Sequence, residues 1–172
     1  MWWNDGEVGQ RSLEISAMAT RGTSLYLGNS TGIGQLADDP DGEVWDVTMN
    51  TDPVESIAVS GDTLFWVERE GEVAVLLRRA LAGGEIEAFS ASADGSVNLA
   101  GIALGAPVPA APGGAYLPVA DTVLYAPASG PPVVRVVARA PGEIIDLAVD
   151  GDALIAATAD GRVYRLCVDA AP

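Results

Sequence analysis

The chain has 172 residues, with 9 basic and 24 acidic side chains and a net charge of -15. Every basic residue is Arg and the sequence holds neither Lys nor His, so Ser-His-Asp and Cys-His catalysis, imidazole proton transfer and His-ligated zinc or iron are excluded. The acidic balance excludes a phosphate-backbone partner, which needs many cations to release counterions, and the single Cys167 excludes an internal disulfide.

In chain order, Met1-Trp2-Trp3-Asn4-Asp5-Gly6-Glu7 carries acids where a signal peptide requires a basic n-region and an apolar h-region. Short apolar runs then recur at Ala17-Met18-Ala19, Ile57-Ala58-Val59, Ile102-Ala103-Leu104 and Leu147-Ala148-Val149, with starts 40, 45 and 45 residues apart. A period of about 40 to 45 residues marks a repeat architecture. After the first run, Arg21-Gly22 leads to Leu25-Tyr26. After the second, Ser60-Gly61-Asp62 leads to Thr63-Leu64-Phe65-Trp66, and after the fourth, Asp150-Gly151-Asp152 leads to Ala153-Leu154-Ile155. Gly at such a turn supplies positive φ without steric cost, so each pair of runs is a hairpin signal. Further turns at Glu70-Gly71-Glu72 and Asp160-Gly161-Arg162 open third strands, and Glu43 to Thr48 and Glu85 to Ser90 alternate as outer strands.

The third unit departs from the others. The longest uncharged stretch, Ser96 to Ala120, has the length of a membrane span but contains Pro107, Pro109, Pro112 and Pro118, whose missing N–H groups would break a helix in lipid. It is read as an inner strand followed by an insertion over 105–115 rich in Pro, Gly and Ala. The matching second strand is then placed at Thr122 to Tyr125, and no outer strand is evident.

No segment sustains a helical period, so the expected fold is all-β. The units predict a β-propeller of about four blades, over 13–50, 54–92, 97–140 and 143–168, with 1–12 a partial strand segment. The stub at Trp2 to Gly6 suggests an incomplete ring or part of a larger, six- to eight-bladed propeller. The alternative is a closed ring in which the N-terminal piece supplies the missing outer strand of the last blade.

Thr63-Leu64-Phe65-Trp66-Val67-Glu68, then Gly71-Glu72-Val73, then Arg79-Ala80-Leu81-Ala82-Gly83-Gly84, resembles one blade of the YWTD-type propellers and is similar to the TolB-like repeats of GC-rich bacteria. Leu25-Tyr26, Leu124-Tyr125 and Leu154-Ile155 match its second strand progressively less well. The resemblance implies a binding or scaffold protein, often extracytoplasmic; some six-bladed relatives are calcium-dependent hydrolases. No catalytic motif of such a family is matched, so no catalytic residue is carried over.

Asp38-Asp39-Pro40-Asp41-Gly42-Glu43 is the densest acidic loop and invites Ca2+, yet with Gly42 at the sixth place of an EF-hand loop the first and twelfth are Ala37 and Thr48, neither a carboxylate. A solvated turn is the simpler reading, as it is for Asp150 and Asp152 around Gly151. Cys167 alternates within an apolar strand and is expected to be buried; Trp45 and Trp66 are expected to pack in the core. Resemblance to other propellers places the binding face on the loops between second and third strands and between blades. Here these are Glu68, Arg69, Glu70, Asp52, Asp94 and Glu143, mainly acidic and suited to a cationic or metal-bridged protein or small ligand. The expected function is a non-catalytic interaction or ligand-binding scaffold. The alternatives are a calcium-dependent hydrolase or lactonase and a structural repeat of a longer exported protein.

Overall fold

The structure, a computed structural model, describes residues 14–36, 44–49, 52–71, 73–90, 98–99, 103–110 and 113–168. The described residues form strands and turns with no helix, and so no helix long and apolar enough to cross a membrane. Fifteen strands assort into four antiparallel sheets, each built from consecutive strands: the arrangement is a four-bladed β-propeller.

The first blade runs β1 (Ala17–Arg21), β2 (Ser24–Asn29), β3 (Gly32–Leu36) and β4 (Val44–Met49), and the second β5 (Val54–Ser60), β6 (Thr63–Glu70), β7 (Val73–Ala80) and β8 (Glu87–Phe89). The third is β9 (Val108–Pro109), β10 (Ala115–Val119), β11 (Thr122–Ala126) and β12 (Arg135–Arg139); the fourth is β13 (Ile144–Asp150), β14 (Ala153–Thr158) and β15 (Val163–Cys167). Gly22, Gly61 and Gly151 each open the two-residue turn between first and second strands with φ of 57°, 57° and 59°, as the hairpin pattern requires.

The third blade corrects the sequence reading. The described part of the expected inner strand, Ala103 and Leu104, lies outside any strand, and the innermost strand is β9, inside the segment taken for an insertion. The second strand is Ala115–Val119, Thr122–Ala126 is the third, and Arg135–Arg139 supplies the outer strand thought to be missing. The prolines explain the misreading: Pro107 and Pro109 cannot donate to a ladder, which keeps β9 short and makes its sequence look like a loop. Ala120-Asp121 deepened it by imitating the Gly-Asp turn between first and second strands. It joins the second strand to the third instead, at the opposite end of the blade, where the Ile144 N–H donates to the Ala120 carbonyl at 2.7 Å beside the start of β13.

Ala120 has φ of 51°, the one non-glycine residue with positive φ among those described. A left-handed Ala crowds its Cβ against the backbone, and its methyl is exposed. Ala120→Gly is therefore expected to stabilise the chain by about 0.5–1 kcal/mol, read as a higher urea midpoint at unchanged slope.

The core lies between blades. Tyr26 and Ile33 of the first blade pack with Ile57, Leu64, Trp66 and Leu77 of the second. The opposite face of the second blade (Ala58, Phe65, Val67, Leu76) meets Leu117, Leu124 and Val134 of the third. Val123 and Val137 of the third then meet Leu147, Leu154 and Leu166 of the fourth. The first two blades pack closely at Gly28, where an added Cβ would lie 2.7 Å from a Val54 methyl and 2.8 Å from Ile57, so only Gly lets the first blade approach. Among the described residues no such cluster joins the fourth blade to the first.

Candidate functional site

Each blade turns from its second to its third strand at one common end, where the blade-to-blade connections also arrive. The structure brings Asp52, Glu68, Arg69 and Glu143 to this end. Asp52 precedes β5, Glu68 and Arg69 close β6, and Glu143 precedes β13. The Glu70 side chain and Asp94 lie outside the described residues, as do the loop Asp38 to Glu43 and the side chain of Trp45.

The second blade carries the densest group. The ladder pairs Val54 with Glu68, and the Arg69 N–H donates to the Pro53 carbonyl at 3.0 Å, which fixes both β6 residues beside the incoming chain. Arg69 makes a two-pronged ion pair with Glu55, its Nη2 2.9 Å from Oε2 and its Nε on Oε1. Glu68 has no arginine partner among the described residues; its Oε1 accepts from the Trp66 indole N–H at 2.6 Å. Burial pushes the Glu68 carboxyl above the usual carboxylate range. The Trp66 hydrogen bond partly opposes this, and the negative charge of Asp52 adds to it. Burial and the Asp52 charge both favour the neutral, protonated form of this carboxyl, and a cation beside it would offset the same cost.

Arginines elsewhere at this end are already held. Arg139 lies 3.6 Å from Asp121 and Arg162 3.5 Å from Asp160, while Asp160 also accepts from the Thr158 hydroxyl at 2.5 Å. In the first blade, Asn29 Oδ1 accepts from the backbone N–H of Thr31 and Gly32 at 2.7 and 3.1 Å, closing the turn. Glu143 stands where Pro53 stands in the second blade, and its carbonyl accepts from the Ala159 N–H at 2.8 Å. The described contacts do not link it to Glu68. Sequence reasoning missed Glu55, Asp121 and Asp160 as ion-pair partners; only Asp160 stands near its arginine in sequence, while Glu55 and Asp121 reach Arg69 and Arg139 from other strands and turns.

Among the described residues no three carboxylates or thiols converge into a group able to hold a metal ion. At the other end, a cavity of about 220 Å³ lies between the third and fourth blades, lined by Tyr116, Val149, Asp152, Leu154 and Val168. Burial and neighbouring Tyr125 push the Tyr116 hydroxyl upward. Trp66 is fully buried, as expected. Cys167 is exposed, contrary to expectation, because it lies on the face of the fourth blade that no further blade covers among the described residues.

The raised Glu68 carboxyl has a signed consequence. The unfolded chain releases this proton at lower pH than the folded one, so Glu68 costs stability as pH rises through that window, and the cost is full above its folded value. Glu68→Gln, whose amide oxygen can still accept from Trp66, is expected to melt higher than the parent at pH 7. The gap should close as pH falls below the ordinary carboxylate value.

Fold and site together define a β-propeller unit with an acidic end face. No family model matches the sequence, and no curated protein matches it. Solved structures do match in fold. The computationally designed Ika4 protein shares 14% identity over 94% of this chain and 95% of its own, with a TM-score of 0.58. BamB from Moraxella catarrhalis shares 17% identity with a TM-score of 0.62, covering 87% of this chain and 42% of its own. A chain of the nidogen/laminin complex shares 16% identity with a TM-score of 0.58, covering 84% and 57%. The chain thus spans less than half of BamB and little more than half of the nidogen/laminin chain.

Proposed function

We propose that this chain is a non-catalytic protein-interaction scaffold of the YWTD- or TolB-like kind, set outside the cytoplasm as that resemblance implies. It takes a basic group of its partner on the Asp52–Glu68 side of the second blade. The observation that carries this reading is Glu68, half-buried, oriented by Trp66 and raised by burial and by Asp52. Such a carboxylate gains from a Lys or Arg side chain what no described arginine of its own chain provides. A structural neighbour belonging to a protein–protein complex is in keeping with a propeller surface used this way.

The test is titration with a tetra-arginine peptide, comparing Asp52→Asn/Glu68→Gln with Asp150→Asn/Asp152→Asn, which removes the same charge at the other end. Binding should weaken about tenfold or more in the first variant and within about twofold in the second. Equal weakening in both would reduce the effect to net charge and refute the site. Calcium separates the hydrolase alternative: a melting shift of several degrees that requires Asp52 and Glu68 would favour a bound metal over a basic side chain.

A further inference from the structure

The two end blades expose the two halves of the junction that is repeated inside the chain. In the second blade Ala58, Phe65, Val67 and Leu76 face forward and are buried against the third. Aligned on the turns at Gly61 and Gly151, the ladders make Ala148, Ile155, Ala157 and Val163 their counterparts in the fourth. Here Ala148 is exposed, Ile155 and Ala157 are only half-buried, and Val163 is 69% exposed. The first blade is the converse. Met18, Leu25 and Leu27 are the counterparts of Ile57, Leu64 and Trp66, which the second blade buries against the first. Met18 is 65% exposed, and Leu25 and Leu27 are half-buried.

Arg165 strengthens the match. It pairs with Ile155 as Arg78 pairs with Phe65, and Arg78 crosses the junction to donate to the Pro127 carbonyl at 2.6 Å and to that of Gly130. Arg165 occupies the same place on the uncovered face and makes no hydrogen bond or ion pair among the described residues. A forward face with its arginine and a backward face of Met and Leu are what each internal junction joins, but here they stand at opposite ends of one chain.

We infer that a second copy of this chain supplies the missing junction. The fourth blade of each copy packs on the first blade of the other, twice, closing an eight-bladed ring about a twofold axis. Each contact is head-to-tail, and two such contacts close on themselves. The span agrees: one copy covers 42% of the BamB chain of the same fold, so two copies are of its order of size.

Sedimentation equilibrium of the full chain in about 0.15 M salt, where surface charge is screened beyond about 8 Å, reads the outcome directly. The parent is expected to run at twice the chain mass. Met18→Glu and Val163→Glu, both at exposed positions and checked for unchanged circular dichroism, are each expected to run as monomers. Ile86→Glu, at an exposed apolar position away from these faces, should remain a dimer. An equimolar mixture of the Met18→Glu and Val163→Glu chains should regain a dimer, because one of its two junctions pairs two unaltered faces. A parent that is monomeric at 100-fold dilution and at the highest soluble concentration alike overturns the inference, since something other than a second copy then covers these faces. Open-ended oligomers overturn the closed ring. A Met18→Glu chain that stays dimeric overturns head-to-tail contact.

Discussion

Arg78→Ala is expected to destabilise the chain by about 3 kcal/mol, read from urea unfolding. The Arg78 side chain is 3% exposed and is held on several sides at once. Its Nε donates to Glu87 at 2.9 Å, Nη1 donates to the Pro127 carbonyl at 2.6 Å, and Nη2 donates to the Gly130 carbonyl. The guanidinium also lies 5.3 Å over the Phe89 ring. Truncation would leave two carbonyls of the third blade without their donor and open a void at the junction. Arg78→Lys should recover only part of the loss, because an ammonium cannot reproduce the planar fork that reaches both blades. A cost below about 1 kcal/mol for alanine would show that the junction rests on its apolar contacts alone.

The same variant has an acid signature. The Arg78 hydrogen bond, helped by its charge and opposed by desolvation, holds the Glu87 carboxyl below its usual range. A lowered folded value contributes stability that is present above the unfolded value and lost as pH falls through the folded one. Arg78→Ala should therefore flatten the acid limb of the stability profile, a change that a merely steric defect would not produce.

Trp66→Ala is expected to cost about 4 kcal/mol, at the upper end for a large buried side chain. Trp66 is 0% exposed and sits in the cluster that binds the first blade to the second. Among the described residues that cluster is the first blade's only buried attachment, so the damage should be local. Hydrogen exchange should show protection lost first across β1 to β4 while β9 to β15 stay protected, as in arrays whose units contact only their neighbours. Uniform loss of protection would mean that the four blades unfold as one cooperative block. Trp66→Phe should cost less and separate packing from the indole hydrogen bond, since it leaves Glu68 half-buried without its donor.

The resemblance of repeats made most of the fold legible. Gly22, Gly61 and Gly151 announced three hairpins because two-residue turns need positive φ, and the apolar runs before them supplied the first strands. The third blade escaped because its inner strand is short and proline-bounded, while Ala120-Asp121 adopts by strain the conformation that Gly takes elsewhere. A turn signal identifies a reversal of the chain, but not which pair of strands it joins. The ladders decide that, and the Ile144 N–H on the Ala120 carbonyl shows at which end of the blade the turn lies.

The acidic end was legible in kind, because turn chemistry concentrates acids and arginines where strands reverse. The pairing within it was not. Arg69 and Glu68 are adjacent in sequence, yet one is neutralised by Glu55 and the other is left half-buried beside Asp52. Alternation sends neighbouring side chains to opposite faces of a strand, and what each face meets depends on the next sheet. The same holds for Cys167, which the apolar pattern placed in a core that its uncovered face does not form.

By itself, the sequence determined an all-β repeat, excluded chemistry that needs His or Lys, and set a net charge of -15. These follow from composition and local turn geometry, which neighbouring residues settle. The tertiary structure decided which strand is innermost in the third blade, which carboxylates are already paired, and which two apolar faces of the described blades stand exposed. Each of those depends on surfaces brought together from distant parts of the chain, and no local pattern encodes which of two equivalent faces will find its partner.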